Sequence, residues 1–250
     1  MDFAALGPGS LALIFLALGI GGFAKGVTGI GLPLVAIPIL ANFIGVERTV
    51  VVMVLPSLVS NGWLVWATRH AAPPLSRLIV FLVCGVLGSL AGTWLLAAAS
   101  EKTLTIALAL WLAAYLILLL ANPRFLLPAP RLLAPCLGLA AGAIQGATGV
   151  SAPIIAPYLT GIGLARQAFV HAITLAFTVF SAGQIIAMAK LGLMTGARLV
   201  EGLWALLPVA LALPLGMRVG ERISHRAFER ILILVFLALE ARLIYRGFWT

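Results

Sequence analysis

The chain has 250 residues, 63% of them hydrophobic and only 9% charged, with a mean hydropathy of +1.18. Soluble domains run at about 45–50% apolar and about 25% charged residues, so this composition describes an integral membrane protein with no soluble domain of ordinary size left over. The formal charge of +9 comes from single Lys and Arg residues at the ends of apolar stretches, where they anchor helices in lipid headgroups; this pattern argues against nucleic-acid binding.

In chain order, Asp2 and the lack of Lys or Arg before the first apolar run exclude the n-region of a signal peptide, so the first segment is expected to be retained. Apolar runs follow near 11–44, 49–67, 76–98, 103–121, 132–160, 167–188, 200–217 and 228–245, eight hydrophobic segments that predict an all-α integral membrane protein. Cys84 and Cys136 stand alone in apolar runs, with no CxxC and no metal-ligand spacing, and read as small buried side chains; no cofactor or metal is expected. The longest polar break, "ANPRFLLPAPR" at 121–131, carries three prolines that cannot continue a helix. It divides the chain into a first half (1–121), a linker (122–131) and a second half (132–250).

The halves share a motif. "GFAKGVTGIGLPLVA" and "GAIQGATGVSAPIIA" align at an offset of 120, matching Gly22, Gly26, Thr28, Gly29, Pro33 and Ala36 with Gly142, Gly146, Thr148, Gly149, Pro153 and Ala156. Two homologous four-segment halves are the expected architecture. A helix over 11–44 would be about 50 Å long, well beyond a hydrocarbon core of ~30 Å. The cluster Gly26–Gly31, with Pro33 beyond it, is the expected break, and Gly146–Pro153 breaks 132–160 in the same way. Each flanking piece, of about fifteen residues or fewer, is then too short to cross unaided. If each motif folds back as a hairpin the halves are inverted; if each stretch crosses once they are parallel.

Unwound backbone inside a membrane is tolerated only where protein buries it or a wet cavity meets it, and paired interrupted helices point to a transporter's binding site. Helix N-termini there offer N–H groups to an anion. On this reading Thr28, Gly29, Gly31, Thr148, Gly149 and Ser151 are candidate substrate-binding residues, through hydroxyls or backbone donors. Lys25 is the candidate charge partner, because a lysine inside an apolar run is costly unless it snorkels, pairs or faces a cavity. Its counterpart Gln145 is neutral and completes the set. The competing reading is packing: Gly22/Gly26, Gly88/Gly92, Gly142/Gly146 and Gly216/Gly220 are all GxxxG pairs. Gly29→Val and Gly149→Val are expected to abolish transport, and Gly88→Ala to cost far less.

The seven acids, Asp2, Glu47, Glu101, Glu201, Glu221, Glu229 and Glu240, lie at or near segment ends, so the carboxylate at depth that sodium and proton carriers use is not evident. His171 suits an interface or packing role better than a proton relay. Pro56, Ser57, Ser60 and Asn61 fit either a cavity wall or ordinary helix-to-helix hydrogen bonding. A membrane enzyme would need a nucleophile, metal set or acid–base pair at a common depth, and none is visible. A non-transporting assembly protein is the third reading.

The duplicated Gly/Thr/Pro motif, the eight segments and the length together resemble the sulfite exporter TauE/SafE family, also called the 4-toluene sulfonate uptake permease family. Gly29, Gly31 and Gly149 fit the glycine run of its motif, while Leu32, Pro33, Ser151 and Ala152 depart from it. The resemblance implies a transporter in the bacterial plasma membrane that carries small sulfur-containing anions such as sulfite, sulfonates, sulfoacetate or thiosulfate. Its partners would be that anion and the lipid bilayer, with assembly into a homo-oligomer left open.

Overall fold

The computed structural model describes residues 7–121 and 131–220, and every regular element in them is helical. The α-helices are α1 (Pro8–Thr28), α2 (Leu32–Ile44), α3 (Val46–Ala67), α4 (Ile79–Ala98), α5 (Glu101–Ala121), α6 (Ala134–Thr148), α7 (Ala152–Gly161), α8 (Arg166–Lys190) and α9 (Gly196–Gly220). Six of these, α1, α3, α4, α5, α8 and α9, are long and apolar enough to cross a membrane. Large apolar side chains such as Leu13, Leu87, Trp94, Ile117 and Leu211 face outward, as a lipid solvent allows. The expected segment 228–245 and nearly all of the linker lie outside the described residues.

Local chemistry sets the boundaries. Pro8 stands in the first turn of α1, where its missing N–H costs nothing. At the other end Gly29 takes φ 81°, and its N–H returns to the Lys25 carbonyl at 2.7 Å, a left-handed cap that strains any residue with a Cβ. α1 therefore has 21 residues, and the expectation of pieces too short to cross does not hold for it, because Pro8 moves the helix start ahead of residue 11. α2, α6 and α7, with 13, 15 and 10 residues, are shorter than a crossing requires. α2 folds back along α1, with Gly31 against Ala24 and Leu32 against Gly21. It ends at Gly45, and the Glu101 carboxylate accepts the Val46 N–H at 2.5 Å, setting a negative charge on the positive end of α3.

α3 and α8 form the centre and run antiparallel. Thr68, just past the end of α3, lies 3.2 Å from His171 near the start of α8, whereas Glu47 at the start of α3 pairs with Arg198 beyond the end of α8. α2 and α9 pack on α3, and α4, α6 and α7 pack on α8. Two side-by-side pairs flank this centre, α1 with α9 and α4 with α6, and both run parallel. A Cβ added at Gly26 would lie 2.3 Å from the Leu213 carbonyl oxygen, and one at Gly216 2.1 Å from that of Phe23. In the other pair, Gly88 would meet the Leu139 oxygen at 2.2 Å and Gly142 the Gly85 oxygen at 1.9 Å. All four GxxxG pairs named from the sequence thus bring two helix backbones into direct contact.

Candidate functional site

The α1–α2 and α6–α7 turns are built alike. Gly149 takes φ 73° and its N–H closes on the Gln145 carbonyl at 2.8 Å, as Gly29 closes on Lys25. The Thr28 and Thr148 hydroxyls donate to the Ala24 and Ile144 carbonyls and accept the N–H groups of Ile30 and Val150, both at 3.2 Å. Ser151 Oγ donates to Gln145 Oε1 at 2.6 Å, and Trp111 on α5 holds the Val150 carbonyl through its indole N–H at 2.7 Å. Several donors expected to face a substrate therefore close the turns themselves. The remaining backbone donors lie one step further on, in the first turns of α2 and α7 beside Gly31 and Ser151, where N–H groups lack an intrahelical acceptor.

The two turns do not share a depth. Gly29 rests against Val170, one turn into α8, and Gly149 against Ile37 with Val50, one turn into α3, close by. Because α3 and α8 are antiparallel, these points lie toward opposite ends of the bundle, roughly 25 Å apart along it. Lys25, Thr28, Gly29 and Gly31 form one group, and Gln145, Thr148, Gly149 and Ser151 the other.

Lys25 is wholly buried, so its ammonium does not snorkel to water. Its Nζ donates to Asn61 Oδ1 on α3 at 2.6 Å and lies 5.7 Å from the centroid of the Phe177 ring on α8. The side-chain ion pairs among the described residues are elsewhere, Arg48 with Glu201 and Arg198 with Glu47, both joining α3 to α9 near their starts. Lys25 thus sits among neutral partners. On the other side of the centre Gln184 of α8 donates to the carbonyls of Gln145 and Gly146, at 3.2 and 3.3 Å. Between Phe177 and Gln184 on the same face of α8 is Ser181, whose hydroxyl is buried and has no hydrogen-bond partner.

Asn61 was visible in the sequence as one of several polar residues in α3. Phe177, Ser181 and Gln184 were missed, although Ser181 stands at the motif offset of 120 from Asn61. That offset was the available signal. His171 is buried near the start of α8, with its Nδ1 3.2 Å from the Thr68 hydroxyl.

The family model for the sulfite exporter TauE/SafE matches residues 13–243. The chain belongs to that family. No curated protein and no solved structure shows significant similarity to it. It is accordingly a multi-pass membrane transporter of a family that handles sulfur-containing anions, and it is not an enzyme.

Proposed function

We propose that this transporter carries a small sulfur-containing oxyanion of the sulfite, sulfonate, sulfoacetate or thiosulfate class across the bacterial plasma membrane by alternating access. Lys25 supplies the attracting charge. The observation that carries the reading is the isolation of that charge: a wholly buried ammonium held by the neutral Asn61 and one aromatic ring, in a membrane-spanning helix. A lone cation at such depth costs at least about 2.5–3.5 kcal/mol, and a bound anion offsets that cost. Burial also means that the anion reaches Lys25 only after helices part, as a carrier that opens to one side at a time requires.

The halves 1–121 and 132–250, joined through 122–131, are read as inverted copies, each with its first segment interrupted at the Gly-rich motif. Reciprocal packing supports this. α1 pairs with α9 as α6 pairs with α4, and Gly29 meets Val170 as Gly149 approaches Val50, each couple being related by the motif offset of 120. α3 and α8, related by the same offset, run antiparallel. Helices that cross between halves give the two-state element that alternating access needs: rocking one α1/α9-type unit against the other exchanges which turn is open.

The test is a thermal-shift panel of sulfite, sulfate, thiosulfate, sulfonates and carboxylates on detergent-solubilised protein. At a hundred times Kd, specific binding adds about 2.7 kcal/mol of stability. Stabilisation by one or more sulfur oxyanions is the expected result. Stabilisation by carboxylates or other anions alone would reassign the substrate, and none by any anion would remove the oxyanion reading.

A further inference from the structure

A serine in a membrane helix ordinarily spends its hydroxyl on a carbonyl of its own helix, as Ser89 does on Val86 at 2.9 Å. Ser181 does not. Its side chain is fully buried on α8, and its Oγ makes no hydrogen bond. Leaving a buried hydroxyl unmatched costs about 1–3 kcal/mol, more than a position filled for bulk alone explains when alanine would pack as well.

Its surroundings indicate what it serves. Phe177, one turn before it, lies under Lys25 of α1; Gln184, one turn after it, holds the Gln145 and Gly146 carbonyls of α6. Ser181 thus occupies the stretch of α8, about 10 Å long, between the level of Lys25 on α1 and that of Gln145 on α6. It lies close to the middle of the 25-residue helix, hence near mid-membrane. The 120-residue offset adds a second argument: Ser181 stands to Gln145 as Asn61 stands to Lys25, yet Asn61 is hydrogen-bonded to Lys25, whereas Gln145 is turned to Ser151.

We propose that Ser181 is a substrate-binding residue whose hydroxyl donates to an oxygen of the oxyanion paired with Lys25. This rests on the oxyanion-transport reading above. A donor and a cation on facing helices would hold two different oxygens of one small tetrahedral or pyramidal anion, so the site selects oxyanions over ions without a second acceptor.

The experiment measures the Kd of sulfite and of methanesulfonate by calorimetric titration of the purified full-length protein, together with the Tm of the ligand-free protein. Ser181→Ala is expected to raise both Kd values about tenfold or more, the worth of a hydrogen bond to a charged group. Its ligand-free Tm should equal or exceed that of the wild type, because the unmatched hydroxyl is gone. Ser89→Ala, which removes a hydroxyl already satisfied by its own helix, should leave both Kd values unchanged. Wild-type affinity in Ser181→Ala would overturn the assignment while leaving the transport reading intact. A ligand-free Tm that falls in step with affinity would overturn it in favour of a packing role. Failure of the wild type to bind either anion would instead overturn the oxyanion reading itself, and the proposal with it.

Discussion

At the scale of single residues, Lys25 and Asn61 make the sharpest pair. The ammonium is buried against one neutral acceptor at 2.6 Å, so its removal and the removal of its acceptor should have opposite effects. Lys25→Gln takes a charge out of an apolar setting and is expected to leave ligand-free stability unchanged or raised, while abolishing stabilisation by the anion. Asn61→Leu leaves the same charge with no acceptor and is expected to lower stability by about 1–3 kcal/mol. In the double variant that loss should largely disappear. Thermal unfolding of the four proteins in detergent, treated as a double-mutant cycle, checks both statements; an additive result would mean the bond has no energetic weight.

At the scale of elements, helix contacts revise what glycine substitutions can report. Gly88→Ala was expected to be mild, but its Cβ would sit 2.2 Å from the Leu139 carbonyl oxygen, between two backbones that cannot yield without separating α4 from α6. It is expected to destabilise by about 1–3 kcal/mol, the usual cost of overpacking. Gly62, on α3, has open space where a Cβ would go, and Gly62→Ala should be neutral or stabilising by up to about 1 kcal/mol. Expression yield and Tm of the two alanine variants give the comparison. Gly149→Val faces both the positive φ and the Ile37 side chain at 2.5 Å, so loss of flux in that variant should come with loss of fold.

At the scale of the whole molecule, inverted and parallel halves differ in where their loops emerge. In the described bundle Ala165 lies at the end where α3 finishes and α8 begins, and Ser100 at the end where α3 begins, next to Glu101 on Val46. Both residues are exposed. Single cysteines at Ala165 and Ser100, in a background without Cys84 and Cys136, should react with an impermeant thiol reagent from opposite sides of the membrane. Ser76→Cys, in the loop after α3, should react from the same side as Ala165→Cys. Labelling of Ser100→Cys and Ala165→Cys from one side would exclude the inverted arrangement and with it the rocking of crossed helix pairs.

Much of this protein was legible in its sequence because the bilayer imposes simple rules. Apolar length reported the crossings, glycine followed by proline reported where α1 and α6 stop, and a lysine amid apolar residues reported a buried polar contact, that of Lys25 with Asn61. Self-similarity at one offset aligned Lys25 with Gln145. What the sequence could not carry is direction. An offset relates two stretches without saying whether they run the same way through the membrane, so it does not reveal that the two Gly-rich turns lie toward opposite ends. Their separation follows from the antiparallel α3 and α8, and that orientation is fixed by contacts such as Thr68 with His171 and Glu47 with Arg198, between residues more than a hundred positions apart. The same long-range packing decided which hydroxyls are spent and which are not. Thr28 and Thr148 close their own turns, whereas Ser181, unremarkable in a run of small residues, is left with an unmatched hydroxyl between Phe177 and Gln184. Local pattern determines where helices begin and end; only the tertiary structure determines which of their polar groups still need a partner.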